Sequence, residues 1–349
     1  MIQINTQVLN KTLIFFDNKN SLLQKTKSGY ILKERKHPLT NGLSPCFGLK
    51  VAKSGSSTLA TNFLLFSIDI LSSFQYTSLM DFPLEIKNII KDKPFSQDDV
   101  GLSDSQVLIF DDMVLKIEKR KSWKEKTDIF KTQSVVDVMK WAKDFVTVPE
   151  VLCFCQTEES DYLLMSKIAG KMSCDSYFLE NSDLLVELLA STLKKLWSID
   201  IKNCPRKISL EKKLELASFN VENNLVDVEN TEPTTFGKDG FENPESLLKW
   251  LKENQPKNFE PVLSHGDFCL PNVFLLNDEF SGLIDLGGTG VADKYQDIAL
   301  CYRSLKHNFS GVYGGKVYKD FNPDLLFEKL GITPDWEKIR YYTLLDELF

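Results

Sequence analysis

Three polar side chains in the last third of the chain have the types and the spacing needed to transfer a phosphoryl group from ATP. Asp267 and Asn272 lie in segment 265–272 (HGDFCLPN), and Asp285 follows thirteen residues after Asn272. In this chemistry one carboxylate orients or deprotonates the attacking hydroxyl, while an amide and a second carboxylate hold Mg²⁺ against the phosphates. We therefore expect Asp267 to act on the hydroxyl and Asn272 and Asp285 to bind the metal.

The order of these residues indicates a particular class of phosphoryl-transfer enzyme. His265, Asp267 and Asn272 follow the pattern H-x-D-x-x-x-x-N. Asp285 opens a D-x-G motif after an apolar run, with Leu286 at the position where protein kinases have Phe. Simple turns are the ordinary alternative for the glycine- and proline-containing parts of the segment. Because two kinase motifs occur in the expected order, we favour the catalytic interpretation, in which His265 braces the loop.

Upstream, a lysine lies on a predicted strand. Residues 106–110 and 113–117 read as a β-hairpin, and Lys116 lies on its second strand. A strand lysine that faces a cleft can hold the α- and β-phosphates of ATP. The preceding loop at Gly101 is poor in glycine, and the chain contains no Walker A pattern, which argues against a P-loop nucleotide-binding protein.

Charge is distributed unevenly along the chain. The net charge is −7, yet residues 1–79 contain nine Lys and Arg against three Asp and Glu, a net of +6, so the remainder carries −13. An acidic surface disfavours nucleic acid as a partner and attracts cations, although acidity also serves solubility alone. The seven cysteines are scattered without paired spacing, as in reduced proteins. No apolar run is long enough to span a bilayer, so we expect a cytoplasmic protein with no membrane partner.

The elements needed to position these residues form two lobes. Strands are predicted at 148–154 and 162–166 beside the hairpin, and helices at 83–90 and 127–144. From residue 183 a long helix opens a mostly helical region. The predicted fold class is therefore α+β, a small β-rich N-lobe (80–167) followed by a larger helical C-lobe (168–349). Residues 1–79 form a separate N-terminal extension, in which runs 13–16 and 63–71 are candidate strands.

Several segments give the chain a family resemblance. From Met80 to Phe349 it resembles the aminoglycoside 3′-phosphotransferases, small-molecule kinases with a protein-kinase-like fold. The resemblance is carried by residues 163–166, 198–205, 264–272, 284–299 and 342–349. The terminal sequence LLDELF is typical of this family rather than of kinases in general.

The resemblance implies a role for each matching position. Asp267 would be the catalytic residue, with Mg²⁺ on Asn272 and Asp285. ATP would be held by Lys116, Ser103 and the backbone of Ser166 and Ile168. The ammonium groups of an aminoglycoside would face acidic groups, namely Glu229, Glu232, Asp346, Glu347 and the terminal carboxylate of Phe349.

The chain departs from the family pattern at two positions. A helix glutamate that pairs with the strand lysine is replaced by Val135, and an arginine after D-x-G is replaced by Gly288. Two alternatives therefore stay open: a pseudokinase or weakly active paralogue, and a kinase of another small amino-alcohol or sugar. We expect residues 1–79 to be a fusion, a poorly ordered extension or an over-extended start.

Overall fold

The chain forms two compact units, Met1–Ser72 and Ser73–Phe349. The computed structural model describes residues 82–349 except 92, 98–104, 121–130, 239 and 313–315, together with four strands nearer the N-terminus. Those strands form an antiparallel sheet in chain order: β1 (Asn5–Leu9), β2 (Thr12–Phe16), β3 (Ser21–Thr26) and β4 (Gly29–Glu34). The strand predicted at 13–16 is thus confirmed, whereas the one at 63–71 lies outside the described residues.

A five-stranded antiparallel sheet builds the first lobe of the second unit. Its order is β5-β6-β7-β9-β8. The predicted hairpin is confirmed, and Leu108 and Leu115, opposite each other across it, are fully buried together with Leu164. The elements are α1 (Leu84–Ile90), β5 (Ser96–Gln97), β6 (Gln106–Ile109), β7 (Met113–Lys119), α2 (Thr132–Ala142), β8 (Val151–Gln156) and β9 (Ser160–Ser166).

The predicted helix at 127–144 has a later start in the structure. Lys131 is extended (φ −69°, ψ 134°), so α2 begins at Thr132; residues 127–130 lie outside the described part. Val136, Val138, Met139 and Ala142 of this helix are buried, and this apolar stripe packs α2 against the core.

Helices dominate the second lobe, as predicted, with short strands between them. The helices are α3 (Ser176–Glu180), α4 (Ser182–Ser198), α5 (Leu210–Glu222), α6 (Pro244–Glu253), α7 (Lys294–Ser310), α8 (Leu325–Leu330) and α9 (Trp336–Asp346). The strands are β10 (Lys171–Met172), β11 (Pro261–Ser264), β12 (Val273–Leu276), β13 (Glu279–Leu283) and β14 (Gly290–Asp293). They form two small sheets, β10-β12-β13 and β11-β14.

The core of this lobe is centred on α4. Leu185, Leu189, Leu193 and Leu196 recur every three or four residues and are at most 2% exposed, which places one continuous apolar stripe against the neighbouring elements. Helix α4 contacts α8 and the strand β11 that leads into the HGDFCLPN segment. The buried stripe therefore supports the strand from which that segment emerges.

A buried ion pair joins α9 to the start of α7. The Nζ atom of Lys338 lies 2.9 Å from Oδ2 of Asp293, and the two side chains are 5% and 0% exposed. Oδ1 of Asp293 also accepts a hydrogen bond from the backbone N–H of Tyr295 at 3.0 Å and so caps α7. Asp293 therefore both caps α7 and ties its start to α9.

Among the residues that the structure describes, no helix is both long and apolar enough to cross a membrane. The six cysteines in this part of the chain are free thiols, in keeping with the scattered spacing seen in the sequence.

Candidate active site

The segment that follows β11 brings the first two predicted residues together. Asn272 lies in a 3₁₀ turn (Leu270–Asn272) that closes this loop. Its amide Nδ2 donates to Oδ2 of Asp267 at 2.8 Å and to the backbone oxygen of Asp267 at 2.9 Å. The amide therefore fixes one oxygen of the Asp267 carboxylate, and the other oxygen can engage a further group.

His265 ties this loop to the strand that delivers Asp285. Its Nε2 lies 2.8 Å from the carbonyl oxygen of Ile284, and its Nδ1 accepts from the backbone N–H of Asp267 at 3.3 Å. These contacts assign the proton to Nε2, because Nδ1 must be unprotonated to accept. His265 is 1% exposed, so it holds the loop in place, as the sequence suggested.

A buried carboxylate on α7 anchors the same loop from behind. Asp297 is 0% exposed, and its two oxygens accept the backbone N–H groups of His265 and Gly266, each at 2.8 Å. Burial raises the pKa of Asp297 above its ordinary value, although His265 and these N–H donors oppose that rise. Asp297 therefore pairs with the backbone of loop 265–272.

Loop 265–272 and the D-x-G turn touch through their glycines. Gly266 has φ +85°, and a Cβ added there would lie 2.0 Å from the carbonyl oxygen of Gly288. Asp285 itself has left-handed backbone angles (φ 56°, ψ 64°) and starts the 3₁₀ turn Leu286–Gly288. A left-handed non-glycine residue is strained and is retained where surrounding structure imposes it. The close glycine contact is one such constraint beside Asp285.

Lys116 reaches this turn from the N-lobe sheet. Its Nζ lies 3.4 Å from Oδ1 of Asp285 and 3.7 Å from Oε1 of Glu118. Burial alone would lower the pKa of Lys116, but the two carboxylates outweigh it and leave the pKa raised. The lysine is therefore a charged ammonium, in contact with one of the two predicted metal ligands.

Of the residues predicted to contact the nucleotide besides Lys116, the structure describes Ser166 and Ile168 but not Ser103. The backbone N–H of Ser166 donates to the carbonyl oxygen of Glu150 at 2.8 Å, and the hydroxyl of Ser166 accepts the N–H of Glu150 at 2.8 Å. Ser166 can thus offer its carbonyl oxygen, but not its N–H, to a bound base. Ile168 follows β9 and is 8% exposed. Ser103, like Gly101, lies outside the described residues.

Three of the predicted substrate-binding acids meet around an arginine on α7. Arg303 pairs with Asp346, and its Nη1 lies 3.0 Å from Oε1 of Glu347. Oε2 of Glu347 accepts the backbone N–H of Glu232 at 2.8 Å, and Oε1 of Glu232 lies 3.1 Å from Nε2 of His307. The structure thus brings Glu232, Asp346 and Glu347 together, with both Glu347 oxygens already engaged.

The other two predicted substrate-binding residues are more open. Glu229 lies in an exposed 3₁₀ turn (Val228–Asn230). Phe349 is 44% exposed, and the Nζ of Lys213 lies 5.6 Å from the centre of its ring. Burial lowers the pKa of Lys213, while Asp346, Asp297 and Asp267 oppose that shift.

Sequence reasoning did not single out Arg303, His307 or Lys213 as parts of the site. Each lies outside the segments that carry the family resemblance. These residues come close to the acids only through the packing of the helices, which the sequence does not reveal.

The donor chemistry of the predicted metal ligands suits Mg²⁺. Within the described residues, no group of three or more His, Cys, Asp or Glu side chains is arranged to hold a metal. Mg²⁺ does not require such a group, because one or two carboxylates together with phosphates and water complete its octahedral shell. Asp285, whose side chain is 52% exposed, and the amide oxygen of Asn272 are oxygen donors of the kind that Mg²⁺ prefers.

Comparison with known proteins gives concordant matches. Residues 95–342 match the phosphotransferase enzyme family. An aminoglycoside 3′-phosphotransferase of Enterococcus faecalis is 36% identical over 270 residues, which cover 76% of this chain and 97% of that protein. One from Campylobacter jejuni is 38% identical over 216 residues, covering 61% of this chain and 79% of that protein.

Solved structures agree in fold. The aminoglycoside phosphotransferase APH(3'')-Id from Streptomyces rimosus superimposes with a TM-score of 0.63 at 21% identity, covering 75% of this chain and 95% of that one. An aminoglycoside-3′-phosphotransferase of type VIII gives 0.61 at 22% identity, covering 76% and 98%. The predicted two-lobed, kinase-like fold is confirmed.

Proposed function

We propose that this chain, which belongs to the phosphotransferase enzyme family and within it to the aminoglycoside 3′-phosphotransferases, transfers the γ-phosphoryl group of ATP to the 3′-hydroxyl of an aminoglycoside and so confers resistance. The observation that carries the proposal is the convergence of three segments. Asn272 contacts Asp267 on loop 265–272, Lys116 contacts Asp285, and the backbone N–H of Ile284, beside Asp285, donates to the carbonyl oxygen of Asn272 at 3.0 Å. Phosphoryl transfer is catalysed mainly by positioning and charge stabilisation, and these four groups supply both.

Each residue has a defined part in this chemistry. Asn272 holds Oδ2 of Asp267 at 2.8 Å, which aims the remaining oxygen at the acceptor hydroxyl and its proton. Lys116 binds the phosphates. Asp285 and Asn272 would hold Mg²⁺, which when bound neutralises charge on the transferred group.

A cationic substrate agrees with the acidic residues of the second lobe. Glu232, Asp346 and Glu347 lie together, and Glu229 is exposed nearby in the sequence. Charge-assisted hydrogen bonds from ammonium groups to carboxylates provide orientation as well as affinity. The 3′ position follows from the named activity of the relatives, several of which are aminoglycoside 3′-phosphotransferases.

The proposal is tested by kanamycin-dependent release of ADP from Mg²⁺-ATP. We expect turnover with kanamycin and none with a 3′-deoxy aminoglycoside, and phosphorus NMR should place the product phosphate at the 3′-oxygen. Asp267→Asn should lower kcat by about 10²- to 10⁴-fold, the usual contribution of a positioned base. The matched control is Asp278→Asn, because Asp278 is an exposed carboxylate that contacts the Tyr177 hydroxyl.

Two results would contradict the proposal. Full turnover in Asp267→Asn would remove that residue from the chemistry. Nucleotide binding without turnover on any aminoglycoside would favour the pseudokinase alternative, and turnover on choline or a simple sugar alone would favour the other kinase alternative.

A further inference from the structure

We propose that Glu118 positions the Lys116 side chain, and that it acts from the same strand as the lysine rather than from the neighbouring helix. This inference rests on the proposed function. Glu118 lies outside the H-x-D-x-x-x-x-N and D-x-G motifs, and its contact with Lys116 is what links it to the proposed nucleotide site.

Strand geometry places the two side chains together. Lys116 and Glu118 are two residues apart on β7 (Met113–Lys119), so both project from the same face of the sheet. Their Nζ and Oε1 atoms are 3.7 Å apart, and the side chains are only 24% and 20% exposed. An ion pair this sheltered is screened less by solvent than one on the open surface.

Two hydroxyl groups hold the Glu118 carboxylate in a fixed orientation. The hydroxyl of Ser105 donates to Oε1 at 3.2 Å, and the hydroxyl of Thr132 donates to Oε2 at 3.1 Å. Thr132 is the first residue of α2 and is 7% exposed. Glu118 therefore links the lysine to the start of the helix, and each of its oxygens has a hydroxyl donor.

Helix α2 itself supplies no carboxylate for the lysine. Val135, at the position where the family pattern has Glu, packs against the apolar core. The only acid within Thr132–Ala142 is Asp137, which accepts a hydrogen bond from Gln133 at 2.7 Å on the exposed face. Asp285, the other carboxylate beside Lys116, is a predicted Mg²⁺ ligand. With Asp285 holding Mg²⁺, Glu118 would be the carboxylate left to hold the lysine toward the phosphates.

The first test separates nucleotide binding from drug binding. In Glu118→Gln the amide oxygen keeps one hydroxyl donor but the negative charge is lost. We expect KM for ATP to rise about tenfold, the loss of a sheltered charge-assisted contact, while KM for kanamycin stays within twofold. Glu158→Gln, an exposed glutamate in the turn after β8, is the matched control and should change neither constant.

The second test asks whether Glu118 acts through the lysine. In a Lys116→Met background, Glu118→Gln should have no further effect on kcat/KM for ATP, because the partner through which it acts is gone. Independent, multiplicative losses would overturn the proposal, as would an equal rise in both KM values or an unchanged KM for ATP.

Calorimetric titration of ATP without drug keeps this inference separate from the proposed function. If kanamycin is not a substrate, the function fails, yet Glu118→Gln should still weaken ATP binding about tenfold while thermal unfolding confirms a folded variant. Unchanged ATP affinity in that variant would refute the role of Glu118 whether or not the drug is phosphorylated.

Discussion

Replacing Asp297 with Asn should loosen loop 265–272, which carries Asp267, without changing any of the four proposed active-site residues. The Asp297 carboxylate accepts two backbone N–H groups at 2.8 Å, and both belong to the residues just before Asp267. In Asp297→Asn one oxygen still accepts a backbone N–H, but the new NH₂ group is a donor. It would face the second backbone N–H, which is left without an acceptor. The side chain is fully buried, so water cannot replace the lost acceptor.

The expected cost follows from these contacts. A hydrogen bond to a charged group contributes about 1.5–3 kcal/mol, and a buried donor left without an acceptor costs about 1–3 kcal/mol. Removing the buried charge offsets part of this loss of stability, because burial disfavours the ionised form of Asp297 and raises its pKa. We therefore expect the free energy of unfolding to fall by about 2–4 kcal/mol. A displacement of Asp267 of about 1 Å would lower kcat by roughly 10²-fold.

Urea denaturation and steady-state kinetics of the same preparation test both parts. Asp320→Asn, at an exposed carboxylate in the loop before α8, is the matched control and should leave stability and kcat unchanged. An Asp297→Asn variant with the stability and kcat of the unmodified protein would refute the reasoning. A loss of stability alone would show that Asp267 keeps its position without this anchor.

Two further predictions concern charge pairs away from the reacting groups. Lys338→Met leaves Asp293 buried without its cation, so the free energy of unfolding should fall by about 3–5 kcal/mol, with kcat unchanged at temperatures where the variant is folded. Adding Asp293→Asn should restore part of the lost stability. An unchanged denaturation midpoint for Lys338→Met would contradict this prediction. The hydrogen bond from His307 lowers the pKa of Glu232 below its ordinary value of 4.5. The His307–Glu232 contact therefore stabilises the folded protein above that pH, and this stabilisation is lost as the pH falls through the lowered pKa. His307→Gln should therefore be about 0.5–1 kcal/mol less stable near pH 6, with the difference closing in acid, and a difference that persists in acid would exclude this explanation.

Local patterns predicted much of the site. The H-x-D-x-x-x-x-N segment and the D-x-G turn are short, and their residues meet as expected because a loop and a hairpin of few residues leave little freedom. The strand that carries Lys116 was likewise predicted, as the second half of a β-hairpin, and Leu115 beside it is fully buried. Such features depend on neighbours in sequence, which is why the sequence reveals them.

Features that depend on packing between elements were missed. The Glu118 carboxylate lies beside Lys116 through strand spacing, but the Thr132 hydroxyl that orients it reaches it only because the start of α2 packs there. Arg303 meets Glu347 only because α7 lies beside α9, and the two residues are 44 positions apart. Asp285 has a left-handed backbone; Asp adopts this conformation more readily than most non-glycine residues, but that preference is too weak to single out this position from sequence.

Arg303 has a consequence for how cations bind. Asp346 and Glu347 already hold its guanidinium group. If these acids receive the amino groups of the substrate, as proposed, an arriving ammonium ion would displace or share this internal counter-ion instead of meeting unpaired carboxylates. Binding then resembles cation exchange, in which the total number of ion pairs changes little. We expect affinity to vary weakly with ionic strength, and selection among amino-sugars to follow the placement of their amino groups more than their number.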